Sequence, residues 1–227
     1  ATGTTLRASY GTAFKAPSLV DRFVDFPAFF YFANPDLLPE RSRGWDAGFE
    51  QALFAERFRF GATYFHNDIT DLIQFYSDPV TFMSTVINVG EARTQGVEVF
   101  ASADLAENVR VRADYTFTDA IDLATGDELA RRPRNKFTMS AGWRPTEPLL
   151  LSASLLYIGE SQDFDRVTFA QTTLPGYTVV NVAAEYAIND NATLYGRIDN
   201  LFDKHYEVPA GFEATGIGGY GGLRFKY

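Results

Sequence analysis

Several groups of residues in this 227-residue chain have types and spacings that could do chemistry. Gly216, Gly218 and Gly221 satisfy G-x-G-x-x-G, the spacing that brings backbone N–H groups up to a pyrophosphate, but that chemistry needs a helix directly after the glycines. Six residues follow, too few for one, so the glycines fit a loop running into a strand. Asp203 and His205 are two apart and would share a strand face; to activate water they need a second acidic pair opposite them. Two lone histidines, His66 and His205, do not make a zinc site, and Asp68 and Asp71 beside Asn67 supply too few oxygens for calcium. The aromatic run Phe26, Phe29, Phe30, Tyr31 and Phe32 is chemistry of another kind, a contact surface for a bulky, partly apolar ligand. Tyr76, Phe164 and Arg166 lie in other predicted loops and are candidates for the same role.

The elements that would position these groups are strands. Residues 109–118 read VRVRADYTFT, with Val, Val, Ala, Tyr and Phe on one parity and Arg, Arg, Asp, Thr and Thr on the other. Side chains of a strand alternate between its two faces, so such a strand has one apolar and one charged face. The pattern predicts strands over 4–11, 43–54, 57–69, 85–104, 109–119, 135–144, 149–158, 176–188, 192–206 and 219–227. Their connections alternate between short turns at 55–56, 106–108, 146–148 and 189–191 and long loops at 12–42, 70–84, 120–134, 159–175 and 207–218. A Greek-key sandwich gives no such rhythm, whereas an outer-membrane barrel has short turns at one rim and long loops at the other. The apolar parity carries Trp45, Phe49, Phe60, Tyr64, Val111, Tyr115, Phe137, Trp143, Val182, Tyr186, Ile198 and Leu223. The other parity carries both signs of charge, including Glu50, Arg59, Glu98, Arg112, Asp114, Lys136, Glu185, Arg197 and Arg224.

Composition narrows the classes. A net charge of -9 argues against nucleic acid, which needs a concentrated basic surface. No cysteine means no disulfide framework and no thiolate metal site. Aromatic residues are 15% of the chain, the material of interfacial girdles. No run approaches the length of a membrane helix. The chain opens at Ala1 without initiator Met or signal sequence, so either a signal peptide has been removed or the chain is a piece of something longer. The structural alternative is a soluble β-sandwich with its charged face in water.

The segments Tyr10-Gly-Thr-Ala-Phe-Lys-Ala-Pro-Ser18 and Asn34-Pro-Asp-Leu-Leu-Pro-Glu40, followed by Ser42 and Trp45, resemble the strand, long loop and returning strand of TonB-dependent outer-membrane receptors. Asn67-Asp-Ile-Thr-Asp-Leu-Ile73, Asn88-Val-Gly90 with Gly96-Val-Glu98, Arg131-Arg-Pro-Arg-Asn-Lys136 and Asn200-Leu-Phe-Asp-Lys-His-Tyr-Glu207 resemble that family's motifs in the expected order, across essentially the whole chain. The nearest likeness is to the cobalamin and siderophore receptors.

This resemblance implies an all-β fold, an antiparallel up-and-down transmembrane β-barrel in which residues 1–227 supply about ten strands, the C-terminal part of a barrel of about 22. The plug domain and TonB box of the family are expected to be absent from it. The implied function is that of part of a receptor in the Gram-negative outer membrane. It would bind cobalamin or an iron–siderophore chelate at Phe29, Phe30, Tyr31, Tyr76, Phe164 and Arg166 and import it with TonB-supplied energy, without enzyme chemistry, cofactor or metal site. Leu223, Phe225 and Tyr227 resemble the C-terminal signal read by the barrel-assembly machinery, with Tyr in place of the usual terminal Phe. The implied partners are outer-membrane lipid, the TonB complex through the plug, the assembly machinery and the ligand. Alternatives are a passive porin and, from Asp203 and His205, an outer-membrane barrel protease.

Overall fold

The computed structural model describes residues 3–78, 80–168 and 170–226. Ten strands form one continuous antiparallel sheet: β1 (Thr4–Lys15), β2 (Glu40–Leu53), β3 (Phe58–Ser77), β4 (Ser84–Ala106), β5 (Val109–Asp122), β6 (Asn135–Thr146), β7 (Leu149–Ile158), β10 (Tyr177–Asn189), β11 (Ala192–Asp199) and β12 (Gly218–Phe225). Each pairs with its neighbour in chain order. The only other sheet among the described residues is a small hairpin, β8 (Ser161–Phe164) with β9 (Gln171–Leu174), set in the loop between β7 and β10. A sandwich would need a second large sheet over the apolar face, so that reading is excluded.

The register places the apolar parity on one face. Leu6, Phe49 and Ala62 share one cross-strand row, and Tyr10, Trp45 and His66 another. Val99, Tyr115, Phe137 and Tyr157 continue across β4 to β7, and Tyr186, Leu194 and Leu223 across β10 to β12. Among the described residues this face has no partner layer. Trp45, Tyr64, Trp143, Tyr186 and Leu194 are all exposed, and the buried apolar residues are few and mostly small: Leu37, Ala92, Ala120, Val179, Ala192 and Ala210. An uncovered apolar face beside a polar one, on a twisted meander of ten strands, is a stretch of membrane barrel wall.

The polar face is organised by ion pairs. Glu50 receives Arg7 at 3.3 Å and Arg59 at 3.4 Å, Asp104 receives Arg110 at 2.6 Å, Asp114 receives Arg112 at 2.5 Å, and Glu185 receives Arg224 at 3.5 Å. Ser9 donates to Asp46 on the same face. Two reciprocal aromatic–glycine pairs lock β3 to β4 there: the Phe65 ring lies over Gly96 and the Phe100 ring over Gly61, where a Cβ would come within 2.7 Å of each ring.

The short turns stand as read, at 54–57, 107–108, 147–148 and 190–191, and both ends of the described sheet lie at that rim. The opposite rim differs from expectation. β3 and β4 run on to Ser77 and Ser84, so the predicted 70–84 loop is mostly a tall hairpin extension. The predicted strand 192–206 ends at Asp199, because Asn200 takes a left-handed φ of 51° and turns the chain away. The first long loop holds a helix, α1 (Leu19–Phe23), started by Ser18 Oγ, which accepts the Asp21 N–H. In β12, Leu223 and Phe225 lie on the outer parity; Tyr227 lies outside the described residues.

Candidate functional site

The candidate ligand residues fall into two groups on the long-loop rim. In the first, the loop 16–39 is fastened to β4. The Phe32 N–H donates to the Ser84 carbonyl at 2.8 Å, and the Ser84 N–H donates to the Phe30 carbonyl at 2.7 Å. Asn34 Nδ2 donates to the Val86 carbonyl at 3.0 Å, while Asn88 grips Leu38 through both its amide atoms and also donates to the Asp71 carbonyl. Within the loop, Phe26 and Tyr31 exchange backbone hydrogen bonds around the tight turn at 27–30, and Arg22 donates twice to the Pro35 carbonyl. Pro35 and Pro39 add stiffness.

That fastening decides which aromatics are available. Phe29 is 80% exposed and Phe30 59%, at the tip of the turn. Tyr31 points the other way, its hydroxyl donating to Asp21 Oδ1 at 3.0 Å. Burial together with the adjacent Asp21 carboxylate pushes its pKa up to about 12, so it stays a neutral donor holding α1 to the turn. Tyr76, near the tip of the β3–β4 hairpin, is half-exposed.

The second group joins three other loops around one carboxylate. Asp163 is 0% exposed; its Oδ1 accepts from Arg131 Nε at 2.8 Å and from the Phe164 N–H at 2.8 Å, and its Oδ2 accepts from the Ala210 N–H at 2.9 Å. Burial alone would raise this carboxyl, but the two N–H donors and the guanidinium outweigh it and hold the pKa below the usual value. Arg166 stacks on the Phe212 ring at 4.1 Å, so it serves loop–loop packing, while Phe164 remains half-exposed. Asn200, 4% exposed, donates through Nδ2 to the carbonyls of Lys204 and Thr215 and accepts from the Lys204 N–H, folding the last long loop on itself.

The hydrolytic reading expected Asp203 and His205 on one strand face; they stand 3.9 Å apart, but in a loop whose contacts hold it together. Asp203 and His205 lie in the loop after β11 and not on a strand face. His205 Nδ1 meets Glu213 Oε1 at 2.6 Å, and Asp203 Oδ1 accepts from the Ile217 N–H at 2.8 Å. Gly216 is required at this point because a Cβ there would stand 2.5 Å from Asp203 Oδ1. The glycine run is therefore loop packing followed by β12, with no helix. His66 stacks on Trp45 at 5.9 Å and meets Asp68, which Arg93 also engages. Asp163 and Asn200, which hold the long-loop rim together, carry no individual signal in the sequence, although Arg131 and Asn200 lie in the motifs named above.

A family described as TonB dependent receptor-like, beta-barrel matches residues 1–201. Solved structures agree in shape. A mutant of the ferric enterobactin receptor of Pseudomonas aeruginosa superposes with a TM-score of 0.80 at 22% identity, over 100% of this chain and 38% of that one. The ferripyoverdine receptor of the outer membrane of Pseudomonas aeruginosa gives 0.74 at 18%, over 98% of this chain and 31% of the receptor. The copper transporter OprC gives 0.80 at 18%, over 100% and 38%. The chain thus spans less than two-fifths of the length of these proteins.

Proposed function

The chain belongs to the TonB-dependent receptor β-barrel family of the Gram-negative outer membrane, and we propose that it is the C-terminal part of the barrel of a receptor that captures an iron–siderophore chelate and imports it with energy delivered through TonB. The long-loop rim is then extracellular. The polar inner face would pack against a plug domain carried elsewhere in the parent protein, and β12, with Leu223 and Phe225 facing out, would carry the signal for the barrel-assembly machinery. The observation that carries the reading is the first loop: two exposed aromatics, Phe29 and Phe30, at the tip of a flap riveted to β4, preorganised to meet a bulky ligand. An iron chelate is preferred to cobalamin because similar receptors are those for ferric enterobactin and ferripyoverdine; cobalamin is the competing ligand in the test.

The test uses the full-length receptor. Burying a Phe against a ligand contributes about 1.5–3 kcal/mol, so Phe29→Ala with Phe30→Ala weakens chelate binding roughly tenfold or more. Iron-limited growth on a panel of ferric siderophores, with a parallel cobalamin-dependent growth assay, identifies the ligand; fluorescence quenching on purified receptor measures its affinity. Unchanged affinity in the double variant would remove the flap from the site. Growth supported only by cobalamin would overturn the siderophore assignment.

A further inference from the structure

The arginines of the wall are sorted by face with one cluster of three exceptions. From Arg7 on β1 to Arg224 on β12 they lie on the inner parity, except Arg41 and Arg43 on β2 and Arg93 on β4, which share the outer parity with Trp45 and Tyr64. These three stand on either side of β3 around one outward depression of about 900 Å³, lined also by Phe14, Asp68 and Thr70. Arg93 is committed to Asp68, Nε to Oδ1 at 2.8 Å, and Asp68 is engaged on its other side by His66 at 3.1 Å. Among the described residues the guanidinium groups of Arg41 and Arg43 make no hydrogen bond or ion pair, and the carboxylates beside them are Asp68 and Glu91. In a chain of net charge -9, an outward cluster of cations with two unpaired members is a local reversal of sign.

Tyr10, Trp45 and Tyr64 mark the upper aromatic girdle, and Trp45 and Tyr64 pack at 5.3 Å. Arg43 and Arg41 lie two and four residues further up β2, about 7 and 14 Å along the strand at 3.4 Å per residue. At a tilt near 40° that is about 5 and 10 Å above the girdle, the depth of the lipid headgroups. A guanidinium fork matches phosphate oxygens bidentately, and basic pockets at this depth hold anionic headgroups.

We propose that the depression bounded by Arg41, Arg43 and Arg93 is a docking site for a phosphorylated headgroup of an outer-leaflet lipid. Arg41 and Arg43 take the phosphate, Arg93 braced by Asp68 walls one side, and the acyl chains descend over Tyr10, Trp45 and Tyr64. The site rests on the placement of the wall in the outer membrane and not on which chelate is transported.

The full-length receptor and its Arg41→Gln, Arg43→Gln double variant are compared in detergent by native mass spectrometry. The probes are diphosphorylated lipid A, its dephosphorylated form and inorganic phosphate. Expected is a drop of about tenfold or more in lipid A retention for the double variant, a similar drop for the dephosphorylated lipid on the wild type, and no displacement by equimolar inorganic phosphate. Equal retention by the variant, or equal binding of the dephosphorylated lipid, overturns the site. Displacement by free phosphate overturns the lipid assignment. Chelate affinity stays unchanged in the variant, which separates this result from the transport reading. If the double variant fails to assemble, Arg41→Gln alone, beside the exposed end of β2, gives the same comparison with a loss of several-fold.

Discussion

Asp163 is one carboxylate tying together loops that are far apart in sequence. Its three donors come from 131, 164 and 210, so removing it takes one tie from each loop and leaves the Arg166–Phe212 stack and the Arg131 N–H bond to the Gln162 carbonyl as the remaining joints. Asp163→Ala leaves two backbone N–H groups without their acceptor; because Arg131 is more than half exposed and can turn to water, the expected cost is the lower figure for such a loss, about 1–3 kcal/mol. In the full-length receptor, hydrogen exchange then rises roughly fivefold to a hundredfold at residues 160–168 and 207–213, while exchange in β5 and β6 is unchanged. Exchange rates equal to wild type in both loops would show that Asp163 is not the joint. His205 gives a second test at this scale. Its hydrogen bond to Glu213, reinforced by that charge and by Asp203, raises its pKa from 6.5. A raised folded value means that the contact contributes fully below the ordinary value and is lost as pH rises through the raised one. Amides of residues 203–217 are therefore expected to exchange more slowly, after correction for intrinsic rates, at about pH 6 than at about pH 8.5, with His205→Gln abolishing the difference.

At the scale of elements, pairing and facing were legible because both follow from local alternation. The turns at 107–108 and 147–148 were readable where the alternation breaks, and the outward facing of Tyr115 and Phe137 from parity, whereas the row that joins them to Tyr157 comes from the register. The rim was less legible because its order comes from contacts between distant segments. Asn34, Asn88 and Asn200 stood out in the sequence as motif residues, but their work, clamping one loop to another or to itself, is visible only in the folded chain. The β8–β9 hairpin, four residues a side and mostly polar, carries no periodic signal to detect. Gly96 shows how an element can depend on a side chain that is missing. A Cβ there would lie 1.9 Å from the Phe117 carbonyl oxygen and 2.7 Å from the Phe65 ring, so β4 or β5 must move. Gly96→Val is expected to cost about 1–3 kcal/mol or more by overpacking and to lower the fraction of folded, heat-modifiable receptor on gels. Gly142→Val, on the same face with nothing within 4 Å of its would-be Cβ, is expected to leave that fraction unchanged.

The whole wall obeys one rule, that the face of a side chain decides its solvent, and this rule gives the most direct test of the molecule's placement. Val182 lies on the outer parity of β10 between Ala153 and Ile198, in the middle of the apolar band. Thr138 lies on the inner parity of β6 opposite Asp114. In a soluble sheet with its charged face in water, an arginine at 138 would be harmless and one at 182 would destabilise only if a second layer covered it; no such layer exists among the described residues, and the medium itself must supply the penalty. Val182→Arg in the full-length receptor is expected to cost about 2–4 kcal/mol when the protein is folded into lipid vesicles, the depth-dependent price of a cation near the bilayer midplane. Thr138→Arg, near a carboxylate in a polar lumen, should cost less than about 1 kcal/mol. Reversible denaturant unfolding of both variants in vesicles measures the two values, and the ordering reversed, or a negligible cost at 182, would place the apolar face somewhere other than against lipid. The same measurement on Arg43→Leu should show little change in stability, because Arg43 lies above the hydrocarbon, where the penalty for charge fades.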